Sequence, residues 1–244
     1  MFDHITIRVS DRTAGESFYD TVLRAIGLGR SGRDERYTVW GGDFSLARSD
    51  RADSVTRRLH IGYVAPSRVH VDAFWQAGVD AGYRSDGEPG PRPEYSPDYY
   101  GGFLLDPDGN SVEAAHHGGT RHSGHIDHLW IRVADRRAAQ EFYERVAPFG
   151  GFAVRSELPD RTQFAWPRAH SFSVVQADEP TENLHVAFEA ADDATVDAFH
   201  ETLTTAGYAD NGAPGERDYH PGYYGAFVLD PDGNNVEVVN HNRR

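Results

Sequence analysis

The chain has 244 residues, a net charge of −14 and 39% hydrophobic residues, enough for one large domain or two ordinary ones. Its acidic residues are spread along the chain, which disfavours nucleic acid and anionic membranes as partners. The absence of cysteine excludes disulfides, thiolate nucleophiles and cysteine-ligated metals. No apolar run reaches the roughly 20 residues that span a bilayer, and the sequence begins with a strand-like segment instead of a signal peptide. A cytoplasmic protein is expected.

The chain is a tandem repeat. FDHITIRV near the N-terminus aligns with IDHLWIRV, RLHIGYVA aligns with NLHVAFEA, and LDPDGNSVE aligns with LDPDGNNVE. This repetition divides the chain into a first unit at 1–117 and a second at 125–244. The linker at 118–124 is small, polar and rich in glycine. We therefore expect two domains of the same fold.

Each unit shows the order strand–helix–strand–strand twice, with room for one more short strand in each half. In the first unit, HITIRV alternates at period two as a strand, and a helix follows from Ala14 to Gly27. RYTVW and FSLA predict two short strands around a glycine pair. RLHIGYVA predicts another strand, which is followed by a helix from Val69 to Gly82 and by two strands around a DPDG turn. The second unit repeats this order, with helices at Arg137 to Phe149 and Ala194 to Gly207, and the whole pattern indicates an α+β fold.

Alternation along the strands places polar side chains on the face opposite the helices. In each unit this face receives two histidines and one glutamate: His4, His60 and Glu113 in the first unit, and His128, His185 and Glu237 in the second. Small neighbours such as Gly62 and Ala187 leave room for a ligand. A lone strand histidine usually just faces solvent, but two histidines and a carboxylate at matching positions in both units favour a metal. Such a set is the facial triad of divalent ions, Fe(II) above all.

At these residues the sequence resembles the vicinal oxygen chelate superfamily. That superfamily includes glyoxalase I, type I extradiol dioxygenases, fosfomycin-modifying transferases and bleomycin-sequestering proteins. The resemblance covers essentially the whole chain and implies two tandem glyoxalase-like domains. Each domain would consist of two βαβββ motifs that curl into a cleft around a divalent metal. It implies that the six residues above are the metal ligands, and that the metal is Fe(II) or, as alternatives, Mn, Zn, Ni or Mg.

In this superfamily, the two motifs that close around a metal are either consecutive in sequence or exchanged between domains. We expect the consecutive arrangement, in a monomer or a homodimer. The two arrangements predict different ligand sets. Consecutive motifs give His4/His60/Glu113 and His128/His185/Glu237, and exchanged motifs give His4/His185/Glu237 and His128/His60/Glu113.

The closing stretch HPGYYGAFVLDPDGNNVE resembles the signature of extradiol dioxygenases. The resemblance implies that His220 is a catalytic acid/base. The match is partial, because Phe227 stands where those enzymes carry a substrate-contacting tyrosine and Ala226 replaces a larger apolar residue. Ser96 takes the place of the histidine in the first unit. An idle, exposed turn histidine before Pro221 is the alternative interpretation of His220.

Other side chains are candidates for contact with a small-molecule substrate. Tyr223 and Tyr224 form a pair of which one member is expected only to pack. Trp130 lies on the same strand face as His128, whereas its counterpart Thr6 is small, so two clefts of different width are expected. Arg132 shares that face; it is a candidate partner for a substrate carboxylate, with a salt bridge across the cleft mouth as the favoured alternative.

The resemblance implies a metal-dependent enzyme whose substrate chelates the metal through neighbouring oxygens, most like an extradiol ring-cleaving dioxygenase. A glyoxalase-type lyase or isomerase is one alternative. It is weakened because glyoxalase I uses four protein ligands and each unit offers three. A small-molecule binding protein of the bleomycin-resistance kind, without catalysis, is the other alternative. Two complete ligand sets count against it.

Overall fold

The computed structural model describes residues 1–118, 124–167 and 170–242. Apart from its two end glycines, the linker predicted at 118–124 lies outside these ranges. The helices are α1 (Arg12–Ala25), α2 (Arg68–Asp80), α3 (Arg136–Gly150) and α4 (Asp193–Thr205). The strands of the first unit are β1 (Phe2–Val9), β2 (Arg30–Arg33), β3 (Tyr37–Trp40), β4 (Phe44–Arg48), β5 (His60–Val64), β6 (Ser85–Pro91), β7 (Tyr100–Leu105) and β8 (Ser111–His116). Those of the second are β9 (Ile126–Val133), β10 (Ala153–Glu157), β11 (Arg161–Ala165), β12 (Ser171–Gln176), β13 (His185–Glu189), β14 (Asp210–Glu216), β15 (Tyr224–Leu229) and β16 (Asn235–Asn240).

The four helices predicted from periodicity are confirmed, and local caps set the start of α1 and both ends of α3. Asp11 accepts hydrogen bonds from the N–H groups of the first turn of α1, and Asp135 does the same for α3. Gly151 closes α3 in the left-handed conformation, with a φ of 70°. None of the helices in the described ranges has the length and apolar character needed to cross a membrane.

The strands form two eight-stranded sheets, and each sheet takes four strands from each unit. The first has the order β14-β15-β16-β13-β1-β4-β3-β2, and the second has the order β10-β11-β12-β9-β5-β8-β7-β6. The units meet in the antiparallel pairs β1–β13 and β5–β9. The expected consecutive arrangement is therefore wrong. Backbone pairing joins the first motif of one unit to the second motif of the other, so the motifs are exchanged.

The apolar faces of the two sheets share one core with the helices. Phe44 of β4 contacts Tyr63 of β5 with ring centroids 5.4 Å apart, and Phe172 of β12 contacts Phe188 of β13 at 6.0 Å. Both pairs cross from one sheet to the other and are fully or almost fully buried. Burial of such side chains stabilises the fold by roughly 1.5–3 kcal/mol each. The opposite faces of the sheets remain available for two clefts.

The DPDG turns fix the last strand of each unit. Asp106 Oδ1 accepts hydrogen bonds from the backbone N–H groups of Asp108 and Asn110 at 2.9 and 2.8 Å, and the second unit has the same turn. This aspartate is therefore committed to the turn, as the sequence predicted. The turn sets the register of β8, from which Glu113 projects.

Candidate metal centres

Strand register brings three side chains of the first sheet together. His4 on β1 lies opposite Ala187 on β13, which lies opposite Glu237 on β16. His185 shares a face with Ala187 because the two are separated by one residue. His185 Nε2 lies 3.0 Å from both His4 Nε2 and Glu237 Oε2, and His4 Nε2 lies 3.7 Å from that oxygen. We call the cavity around these three residues the first cleft.

The second sheet holds the matching cluster of His60, Glu113 and His128, and we call its cavity the second cleft. His60 Nε2 lies 3.0 Å from Glu113 Oε2 and 3.0 Å from His128 Nε2. His128 Nε2 lies 3.3 Å from Glu113 Oε2. Gly62 faces His128 across the β5–β9 pair, and a Cβ on Gly62 would lie 2.4 Å from an imidazole carbon. The glycine therefore provides the space that this ring occupies.

Both clusters have the donor set and the spacing of a three-ligand metal site. At a metal–ligand distance of about 2.1 Å, neighbouring ligands at right angles are about 3 Å apart. Five of the six contacts above are 3.0–3.3 Å. The outer ring nitrogens are oriented by carboxylates: His4 Nδ1 lies 2.6 Å from Asp3, and His128 Nδ1 lies 2.9 Å from Asp127. Such contacts aim Nε2 at the cluster, so the residues present fit a divalent ion.

A tyrosine holds the far oxygen of each glutamate. The Tyr223 hydroxyl donates to Glu237 Oε1 at 2.6 Å, and the Tyr99 hydroxyl donates to Glu113 Oε1 at 2.8 Å. Burial and the adjacent carboxylate raise the pKa of both tyrosines far above the ordinary value, so both remain donors. In each glutamate, Oε2 is left to face the two histidines.

The electrostatics of the second cleft favour positive charge. Burial opposes ionisation of Glu113, but its hydrogen bonds with His128 and His60 outweigh burial and lower its pKa to about 2. Burial also disfavours the His128 imidazolium, yet hydrogen bonds with Asp127 and Glu113 raise its pKa to about 9. Burial is the largest cause that lowers the pKa of His60. A buried carboxylate needs a positive partner, which a proton on His128 or a divalent cation can supply.

A hydrogen-bonded chain links His220 to the first cluster. Asp3 contacts His4 through Oδ1, and its Oδ2 lies 2.5 Å from His241 Nε2. His241 Nδ1 lies 2.8 Å from His220 Nε2. His220 also lines the first cleft. His220 therefore lies on the wall of the cavity that holds the first cluster, and this series of hydrogen bonds connects it to His4.

A different series of hydrogen bonds starts from the cluster in the second cleft. His128 contacts Asp127, whose other oxygen lies 3.0 Å from His117 Nε2. Ser96, at the position of the acid/base candidate, donates to Asp98 at 2.7 Å. The roles of four residues in these two series of hydrogen bonds were not predicted from the sequence: Asp3, His241, Asp127 and His117. The DH dipeptide that opens both β1 and β9 was a signal that could have found them.

The predicted substrate-contacting residues are divided between the clefts. Tyr223 lines the first cleft, whereas Trp130 and Arg132 line the second. The consecutive arrangement predicted that Tyr223, Trp130 and Arg132 share one cleft with His220. This expectation is wrong for Trp130 and Arg132, because β9 pairs with β5 of the first unit. Tyr224 lines neither cleft within the described residues; its hydroxyl donates to Asp197 on α4 at 2.8 Å.

The clefts have the size of small-molecule pockets but differ in the side chains that line them. The first has a volume of about 660 Å³ and the second about 570 Å³, within the usual range for such sites. Thr6 lines the first and Trp130 lines the second, so the expected difference in side-chain bulk is present. Phe227 and Phe103 take equivalent places, with ring centroids 6.2 Å and 6.0 Å from the histidine on β13 and on β5, respectively.

Comparisons with known proteins agree with this architecture. The sequence model of the Glyoxalase/Bleomycin resistance protein/Dioxygenase superfamily matches residues 125–238. A mutant glyoxalase I from Zea mays superposes with a TM-score of 0.73 at 20% identity, covering 98% of this chain and 92% of that one. A putative dioxygenase from Bacillus subtilis gives a TM-score of 0.67 at 14% identity, covering 99% and 85%. No curated protein sequence gives a significant match.

These identities show a shared fold and leave the reaction open. The family match covers the second unit, and the first unit aligns with the second along its length. The resemblance and the fold class inferred from the repeats are therefore confirmed. Residues 125–238 match the Glyoxalase/Bleomycin resistance protein/Dioxygenase superfamily, and the chain has two tandem glyoxalase-like halves.

Proposed function

We propose that this protein is a metal-dependent enzyme whose substrate is a small molecule that chelates the metal through neighbouring oxygens. We propose further that the first cleft is an extradiol-type dioxygenase centre. The supporting observation is the convergence of His4, His185 and Glu237 on a space that fits one ion, with His220 on the wall of the same cavity. Both ligand sets come from a single chain, so a monomer is sufficient.

The three residues of each cluster are the proposed ligands. Two imidazoles and one carboxylate suit Fe(II) best, with Mn, Zn, Ni or Mg as alternatives. When bound, the ion would supply a Lewis acid and open positions for a chelating substrate and for dioxygen.

The surrounding side chains have roles of their own. In this proposal, His220 accepts a proton from a substrate hydroxyl and returns it later in the reaction. His241 is held by Asp3 and contacts His220, which orients the His220 ring. A proton taken up by His220 can then be shared with the neighbouring nitrogen of His241. Tyr223 keeps the carboxylate of Glu237 in place. The ring of Phe227 offers an apolar surface for a planar substrate next to His185.

A glyoxalase-type lyase or isomerase activity is the second candidate, and it concerns the second cleft. That cleft has the same ligand types but places Ser96 where the first has His220. Lewis-acid chemistry on a chelating substrate does not require a histidine at this position. A metal-free binding protein is disfavoured, because both clefts hold a complete set of two histidines and one glutamate at the spacing of metal ligands.

Anaerobic reconstitution with Fe(II), followed by oxygen uptake with catechols and with α-keto compounds, tests the proposal. We expect two ions per chain and oxygen uptake that depends on a catechol. Oxygen uptake that is independent of added substrate would contradict the dioxygenase assignment. Failure to take up any divalent ion at micromolar concentration would contradict the metal-dependent enzyme as a whole.

A further inference from the structure

The second cleft has a wall with three arginines. Arg132 lies on β9, Arg155 on β10 and Arg161 on β11, and all three line the cavity that contains the ligand cluster. Strands β9 and β11 flank β12, and Arg132 on β9 and Arg161 on β11 both pair with Val175 of β12. Arg155 lies at the irregular position between two paired residues of β10. The second unit therefore supplies both this cationic surface and His128 of the neighbouring cluster. The other two members of the cluster, His60 and Glu113, come from the first unit.

None of these three guanidinium groups has an acidic partner among the residues that the structure describes. Arginines elsewhere in the chain do pair: Arg30 and Arg33, on strand β2, both contact Glu16. Arg161 instead stacks on Trp130, with Cζ 5.4 Å from the ring centroid. Stacking uses the face of the guanidinium and leaves its N–H donors free to bind in the plane. Among the described residues, the three guanidinium groups of this wall are thus donors that no carboxylate neutralises by an ion pair.

The first cleft lacks this surface. Tyr37 opens β3 where Arg161 opens β11, and its ring lies against Tyr219 with centroids 6.2 Å apart. Arg8 is the single arginine among the described residues that line the first cleft, while Asp43 and Glu189 line it as well. Among the described residues, the two clefts therefore combine matching ligand clusters with one lining arginine in the first cleft and three in the second.

We propose that the second cleft selects a substrate with an anionic group, such as a carboxylate, in addition to its chelating oxygens, and that the first cleft does not. This inference rests on the proposed function, because the metal must hold the chelating end. The acidic residues Asp86 and Glu94 line the second cleft from β6 and the segment after it. The anionic group is therefore expected to point away from them, toward the β9–β11 wall.

An isosteric pair of probes tests this selectivity. The Zn(II)-loaded protein is titrated calorimetrically with 3,4-dihydroxybenzoate and with the neutral 3,4-dihydroxybenzamide. The second cleft is isolated in a His4→Ala variant and the first in a His128→Ala variant. We expect the carboxylate to bind about tenfold more tightly than the amide in the second cleft. In the first cleft, we expect equal binding or a preference for the amide.

Charge-removing variants assign the preference to the arginines. Arg161→Gln and Arg155→Gln, each in the His4→Ala background, should bring the carboxylate-to-amide ratio close to one. Arg137→Gln, which removes an exposed charge on α3, should keep the ratio. Arg155 is exposed, so its variant stays informative even if loss of the Arg161 stack disturbs the fold.

The outcomes separate the inference from the function on which it rests. Equal binding of both probes to the second cleft, or a preference that survives both arginine variants, would overturn the inference and leave the proposed function intact. Binding of neither probe to the metal-loaded protein at either cleft would contradict both.

Discussion

His4 Nε2 lies 3.0 Å from His185 Nε2, although the two residues belong to different sequence repeats. The second cleft shows the same relationship between His60 and His128. Each cluster takes a first-strand histidine from one unit and its other two members from the other unit. Neither cluster is drawn from one unit alone, so any metal site would depend on both halves of the chain.

Removal of one tyrosine hydroxyl should weaken metal binding only in the cleft that contains that tyrosine. Tyr223→Phe deletes the donor to Glu237 Oε1, so we expect the first cleft to lose about tenfold in metal affinity while the second is unchanged. Tyr99→Phe should have the reciprocal effect because its hydroxyl holds Glu113. Calorimetric metal titration checks both. An equal loss at both clefts in either variant would show that the hydroxyls do not act locally.

Gly62→Ala should damage the second cleft alone. A Cβ there would lie 2.4 Å from the His128 imidazole, so the ring must shift from its position in the cluster. We expect loss of one metal ion per chain, with the far-ultraviolet circular dichroism unchanged. The matched control is Ala187→Gly at the equivalent position of the first cleft, which removes atoms and should keep both ions. Full metal content in Gly62→Ala would contradict the proposed ligand role of His128.

His220→Asn should lower the turnover number roughly 100-fold, the usual scale for a lost acid/base group. Metal content should not change, because His220 is linked to His4 only through Asp3 and His241. The measurement is oxygen uptake by the Fe(II)-loaded protein with a catechol. Ser96→Asn is the control at the equivalent position beside the second cleft. If His220→Asn and Ser96→Asn behave alike, His220 is only a turn residue.

We expect the fold to lose stability at low pH because Glu16 becomes protonated, independently of any metal. Burial opposes its ionisation, but hydrogen bonds from Thr38 and Arg33 and the charge of Arg30 outweigh burial and lower its pKa to about 2. The pKa is below the ordinary value of 4.5, so the stabilisation is fully present above that pH. It is lost as the pH falls toward 2.

The second unit provides the matching substitution. Gln140 takes the place of Glu16 and accepts hydrogen bonds from Arg136 and Thr162, both at 2.8 Å. Glu16→Gln should therefore fold but lower the free energy of unfolding by roughly 1–2 kcal/mol at pH 7, a modest value because part of the cluster is exposed to solvent. Chemical denaturation at pH 7 and pH 3 should show this difference shrinking. A constant difference would contradict the account of Glu16.

Residue periodicity was enough to predict much of the fold and the members of the clusters. Alternation along HITIRV put His4 opposite the apolar residues, and the same rule worked for Glu113 after its turn. Gly62 was expected to leave room for a ligand, but the structure shows that the imidazole of His128 fills this space.

The pairing of the motifs was not predictable from these patterns. FDHITIRV and IDHLWIRV have almost the same distribution of apolar residues, so β1 and β9 offer equivalent edges to β5 and β13. Backbone hydrogen bonds between strands do not depend on side-chain identity. The chain Asp3–His241–His220 was missed for a related reason, since it joins the first residues of the chain to almost the last.

Metal stoichiometry in pairs of ligand variants tests the central claim most directly. The account predicts that His4→Ala/His185→Ala, which empties one cleft, still binds one ion per chain. It predicts that His4→Ala/His60→Ala, which damages both clefts, binds none. The opposite result, with no ion in the first double variant and one in the second, would show consecutive motifs and contradict the exchanged clefts described above.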